Sequence, residues 1–220
     1  MTKNVPEPIR GLDLADLQYG LSVPAGDLQR VLGISAYDWG LYVNRTTHDG
    51  DSPILTEPAI SILTRLYQEH PEAFPLPASP SPAEVLELVN SDRVPKAEVR
   101  KLEAQKGINP SPKMSYAERA HQLGLRLEVP MTLFAKTLGK QETAGGRWLR
   151  GALPPPAVRN ILIYMKKRIE ADGDSRVFDE IAEYAQSEAI ARGMGNLSDE
   201  KGWKTTTRAD LIASIDKPEE

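Results

Sequence analysis

The 220-residue chain contains no cysteine, which excludes disulfides and every zinc site built on thiolates. Histidine is scarce as well, and His48, His70 and His121 lie too far apart for a local metal-binding motif. His121 precedes Leu123, Leu125 and Leu127, whose pattern suits packing. No apolar run approaches the roughly eighteen residues that a membrane span needs. The opening Met1-Thr2-Lys3-Asn4-Val5-Pro6 lacks the charged-then-apolar layout of a secretory leader, so a cytoplasmic home and no membrane partner are expected. Gly145-Gly146 is not followed by Lys-Ser or Lys-Thr, and no acid–base pair or nucleophile motif stands out. The expectation is a protein that is not an enzyme and has no cofactor.

Runs of alternating β-branched residues are also missing, while prolines and capping residues divide the chain into short helical stretches. An all-α fold follows. Thr56-Glu57-Pro58, Ser81-Pro82-Ala83-Glu84 and Ser115-Tyr116-Ala117-Glu118 are helix starts, the last two as capping boxes. Between Phe74 and Pro82 four prolines in nine residues stiffen the backbone and forbid helix. Five segments are expected: a degenerate helix-turn-helix domain over 10–76, a Pro-rich and helical connector over 77–112, and a basic helix-turn-helix domain over 113–172. A C-terminal helix over 173–194 and a flexible tail over 195–220 complete the chain. In the connector, Val85, Leu86 and Val89 share an apolar face.

The formal net charge of −4 conceals an uneven distribution. Residues 1–78 carry a net −5, 79–112 are neutral, 113–170 carry +7 and 171–220 carry −6. A basic block between acidic flanks suits a phosphate backbone, because each neutralised phosphate releases a counterion. The plainer reading of such a block is a solvated helical surface.

An internal repeat spans the linker. Val23-Pro24, Leu28, Leu32-Gly33 and Tyr42 recur as Val129-Pro130, Phe134, Leu138-Gly139 and Trp148, at a constant offset of 106. Pro58-Ala59-Ile60, Ile62-Leu63 and Leu66 recur as Pro156-Ala157-Val158, Ile161-Leu162 and Met165, at an offset of 98. The first copy therefore has a loop eight residues longer. Within the second copy, a short helix ends at Gly139, a residue type that accepts the left-handed backbone of a reversal. A second helix starts shortly after, with Trp148 and Leu149 turned inward and polar side chains on its leading end and outer face. Amide and guanidinium groups so placed suit base edges in a major groove, glutamine for adenine and arginine for guanine.

Phe134-Ala135-Lys136-Thr137-Leu138-Gly139 followed by Gly146-Arg147-Trp148-Leu149-Arg150-Gly151 resembles the phage-repressor-like, XRE-type helix-turn-helix. Ala135 stands at that family's small residue, and Trp148 and Gly151 match its aromatic and closing glycine. The resemblance implies a five-helix domain, usually dimeric, that reads operator DNA. It implies base contacts at Gln141, Glu142, Thr143 and Arg147. Lys136, Lys140 and Arg150 flank that surface and are the expected phosphate contacts. Gly145 departs from the family, which has a branched apolar residue there to lock the helix to the core. Three alternatives stay open: a helix ordered only on DNA, a bend, or an unusually close backbone approach. Met131 replaces a polar residue that many members use to touch DNA.

The first copy departs further, with Gln29 at the small position and Ser35, Ala36, Tyr37 and Leu41 on its would-be reading face, in an acidic segment. It is expected to serve structure or to bind a protein partner. If it does read DNA, Arg30, Tyr37, Asn44 and Arg45 are its contacts. Val177, Phe178, Ile181, Tyr184, Ala185 and Ala189 form one stripe near the C-terminus, which either docks on its own domain or makes a homodimer contact. Double-stranded DNA, a homodimeric state and nucleoid association are thus the expected partners and setting. The function expected is a sequence-specific transcriptional regulator. The alternative is an architectural or assembly factor, acting in plasmid partition, DNA transfer or replication without promoter control.

Overall fold

The computed structural model describes residues 7–74 and 80–215. Most of the Pro-rich boundary, residues 75–79, and the ends of the chain lie outside the described residues. The fold is all-α. Among the described residues the helices are α1 (Gly11–Leu21), α2 (Ala25–Leu32), α3 (Ala36–Val43), α4 (Pro58–Glu69), α5 (Pro82–Asn90) and α6 (Lys96–Gln105). They continue as α7 (Tyr116–Gln122), α8 (Met131–Thr137), α9 (Glu142–Trp148), α10 (Pro156–Asp172), α11 (Arg176–Ala191) and α12 (Arg208–Ser214). β-structure among the described residues is confined to three isolated bridges.

Local chemistry sets the helix starts. Pro58 and Pro156 open α4 and α10, where the missing N–H removes nothing from the helix. The Ser81 hydroxyl accepts from the Glu84 amide at 3.2 Å to cap α5. At α7 the bonds are reciprocal: Ser115 Oγ accepts from the Glu118 amide at 3.3 Å, and Glu118 Oε2 accepts from the Ser115 amide at 2.7 Å.

The repeat in sequence is a repeat in structure. Adding 106 to the first residues of α2 and α3 gives the first residues of α8 and α9, and adding 98 to that of α4 gives that of α10. Gly33 and Gly139 adopt matching left-handed backbone, with φ of 75° and 74°. Each of these turn glycines meets the proline-started helix of the other unit. A Cβ on Gly33 would lie 3.0 Å from the Pro156 side chain, and one on Gly139 would lie 2.3 Å from the Ala59 amide nitrogen. Such reciprocity, one turn on the partner's helix start and the partner's turn on its own, marks a two-fold relation between surfaces, here made within one chain. The units are not identical. α1 packs on α3 and α4, whereas α7 packs chiefly on α6.

One continuous core joins the two units. It runs from Leu14, Leu28 and Leu32 through Ile62, Leu63 and Leu66 to Phe134, Leu138, Ile161 and Leu162. α11 lies against α4, α8 and α10, burying Val177, Phe178, Ile181, Tyr184, Ala185 and Ala189. The apolar stripe expected near the C-terminus is therefore satisfied on the chain itself. Burial of each large apolar side chain of this kind contributes roughly 1.5–3 kcal/mol of transfer free energy.

At its C-terminal end α11 is tied to α4 by charge. Glu188 is fully buried and accepts from Arg192 Nε at 2.8 Å, with Arg65 Nη2 3.5 Å away. The Arg192 guanidinium also donates to the Leu55 carbonyl at 2.5 Å and to Ser61 Oγ at 3.2 Å, so its charge and its N–H groups are largely satisfied.

Residues 195–215 differ from the flexible tail expected of an acidic, glycine-containing segment. Leu197, Trp203 and Leu211 are buried, and α12 begins at a capping box made by Thr207 and Asp210. The stretch is held by Trp203 on α8, by Arg208 on Asp38 of α3 and by the Ser214 carbonyl on the His48 amide in the loop after α3.

Candidate nucleic-acid interface

α9 follows the Gly139 turn and spans seven residues. Its buried side holds Ala144, Gly145 and Trp148. A Cβ at Gly145 would come 2.7 Å from Met131 Cγ and 2.9 Å from the Met131 carbonyl oxygen, so the glycine is required by close packing of α8 on α9. Of the three alternatives left by the sequence, close approach is the one realised, and the backbone approached is that of α8. The first unit has Ala25 and Trp39 at the positions of Met131 and Gly145, so bulk lost on one helix is gained on the other. Gly145→Val is expected to cost about 1–3 kcal/mol through overpacking, and Met131→Ala in the same chain is expected to restore the part due to the Met131 side chain, leaving the contact with the Met131 carbonyl. Urea denaturation of the single and double variants measures both effects; additive losses would rule out the exchange.

The outer side of α9 presents Thr143 and Arg147, and Arg150 follows in the turn after the helix. All three are exposed, and neither arginine forms an ion pair among the described residues. Gly146 lies between them, and a Cβ there would have only the Arg150 Nη1 within 4 Å, at 3.7 Å. That face is open to close approach by a ligand.

The remaining residues expected at the interface are engaged. Gln141 donates through Nε2 to the Trp203 carbonyl at 2.8 Å, and a Cβ on Gly202 would fall 1.9 Å from Gln141 Oε1. Lys136 corrects a sequence expectation: it is not a surface cation, being only 3% exposed. Its Nζ donates to the Ser198 and Glu200 carbonyls at 3.1 and 2.9 Å and pairs with Glu142 at 3.2 Å. Trp203 completes the lock, its indole Nε1 donating to the Lys136 carbonyl at 2.9 Å. Lys140 reaches across to the other unit and pairs with Glu57 at 2.5 Å.

The C-terminal strap continues over the first unit. Arg208 pairs with Asp38 at 2.9 Å and sits 4.9 Å from the centre of the exposed Tyr37 ring. Ser214 accepts from the His48 amide at 3.1 Å. Arg30 pairs with Asp27 at 2.5 Å, while Asn44 and Arg45 remain exposed at the end of α3. The structure thus leaves Thr143, Arg147 and Arg150 exposed, and engages Gln141, Glu142, Lys136 and Lys140 in contacts with the strap, with each other or with the first unit. Reasoning from sequence overlooked the strap. A signal existed in Trp203, a large aromatic residue set in an otherwise polar tail.

Fold and face together define an all-α chain of two related units with an uncovered basic surface at α9. No helix among the described residues is long and apolar enough to cross a membrane. Comparison of the chain with protein-family profiles, with curated proteins and with solved structures finds no match.

Proposed function

We propose that the chain is a sequence-specific DNA-binding regulator that reads the major groove with the outer face of α9. The observation that carries this reading is the exposure of Thr143, Arg147 and Arg150, whose two guanidinium groups have no carboxylate partner among the described residues, in the segment of the chain with the highest positive charge. Arg147 suits the paired acceptors of guanine, Thr143 a neighbouring base edge, and Arg150 a phosphate. Gly146 lets the groove wall approach the helix backbone.

Gln141, Glu142, Lys136 and Lys140 are left out of this contact set, because each already holds a partner. The reciprocal contacts of Gly33 with Pro156 and of Gly139 with Ala59 support a stoichiometry of one chain per site. The two units that a homodimer would bring together are already paired.

A genome-wide footprint of the native chain and of Arg147→Ala tests the reading. Binding centred on promoters and lost in the variant is the expected result. Clustered repeats near an origin would favour the architectural role instead, and a footprint unchanged by the substitution would remove α9 from the interface.

A further inference from the structure

α6 and α7 form a small lobe of their own. Val99 and Ala120 are fully buried within it, yet neither belongs to the continuous core of the main body. A short parallel bridge between Val94 and Leu127 ties the two chain segments that enter and leave the lobe, and Arg93 and Arg126, which both pair with Asp179, fasten them to α11. Inside it, Arg119 Nε donates to Glu103 Oε1 at 2.8 Å, and a second bond links the same two side chains.

The outer surface of the lobe gathers positive charge around one ring. The Arg119, Arg100 and Lys96 cations lie 4.3, 5.2 and 5.6 Å from the centre of Tyr116. Arg100 Nε also donates to the Tyr116 hydroxyl, which holds that phenol below its usual pKa. From Lys96 to Gln122 six lysines and arginines face three glutamates. Each glutamate is engaged: Glu98 with Lys101 at 3.7 Å, Glu103 with Arg119, and Glu118 in the cap of α7. Lys96, Arg100, Lys106 and Lys113 consequently have no carboxylate partner among the described residues.

Cations attracted to the face of one aromatic ring are held close together in spite of their mutual repulsion, each contact contributing roughly 0.5–1 kcal/mol at an exposed site. A guanidinium stacked this way keeps N–H groups free at its edge, in the fork geometry that suits phosphate oxygens. We propose that Lys96 and Arg100, gathered on Tyr116 beside the Glu103-paired Arg119 and with Lys113 nearby in sequence, form a second contact site that grips the sugar–phosphate backbone of the DNA read by α9. The inference rests on the DNA-binding reading and adds to it a site that does not discriminate sequence. Charge complementarity selects the occupant, since the cluster offers point charges and forks with no pocket for a base.

The test is the salt dependence of duplex DNA binding by the full chain, native and Lys96→Gln/Arg100→Gln, with Tm as the control for folding. Each lost phosphate contact lowers the slope of log K against log salt by about 0.9, so the double variant is expected to lose about 2 from the slope and roughly tenfold or more in affinity at low salt. The loss should be the same for every sequence. Tyr116→Leu, which removes the ring and leaves the charges, is expected to give a smaller loss in the same direction. An unchanged slope and affinity in Lys96→Gln/Arg100→Gln, with Arg147→Ala still weakening binding, would overturn the lobe site and leave the α9 reading standing. No duplex binding by the native chain would overturn both.

Discussion

Gly139→Ala is expected to lower stability by roughly 3 kcal/mol or more. Two costs combine. The residue has a φ of 74°, which costs an L side chain roughly 1–2 kcal/mol. The added carbon would also lie 2.3 Å from the Ala59 amide nitrogen and 2.6 Å from its Cα, and neither backbone atom yields without moving the start of α4. Gly33→Ala serves as the matched control. Its φ is 75°, yet its nearest neighbour is the Pro156 ring at 3.0 Å, which can shift slightly. Equilibrium unfolding in urea should therefore show a clearly smaller loss for Gly33→Ala. Equal losses would mean that the units do not meet through the Gly139 turn.

Removing Glu188 is the second large effect. Glu188→Ala leaves Arg192, whose side chain is only 5% exposed, and the mostly buried Arg65 without a counter-charge, and breaking a buried pair in this way costs about 3–5 kcal/mol. Arg65→Ala should cost less, since its nearest nitrogen is 3.5 Å from the carboxylate and Arg192 remains to balance it. Because the pair is shielded from solvent, the loss should change little between low and high salt. Thermal unfolding of both variants at two salt concentrations measures this. A loss that disappears in high salt would place the carboxylate at the surface.

What was legible in the sequence was what local chemistry decides. The constant offsets of the repeat gave the starts of α8, α9 and α10 from those of α2, α3 and α4, because turn glycines and N-terminal prolines act within a few residues of their own position. The helix start at Ser81, realised as a single N-cap bond and not the reciprocal box expected, the capping box at Ser115 and the buried stripe on α11 were legible for the same reason. The all-α class follows from them.

The rest depended on contacts between distant segments. Lys136 is charged and lies in a basic stretch, so its sequence reads as surface; the Ser198 and Glu200 carbonyls, more than sixty residues away, together with Glu142 make its burial tolerable. The volume exchange between Met131 and Gly145 involves two helices and is invisible along either one. The cations around Tyr116 come from α6 and α7, separated by a proline-containing loop that gave no sign of bringing them together. Within the α9 surface, the sequence supplied the residues and the strap decided which of them stay open.

The central claim is that Arg147, on the open face of α9, reads DNA. Its most direct test is the affinity of the native chain and of Arg147→Ala for a duplex selected from a random library, titrated beside a scrambled duplex at fixed salt. The native chain is expected to prefer the selected duplex by on the order of a thousandfold or more. Arg147→Ala is expected to lose about 1–3 kcal/mol and to relax the preference at one base position. A library that yields no preferred sequence, with weak binding that vanishes at moderate salt for both chains alike, would contradict it.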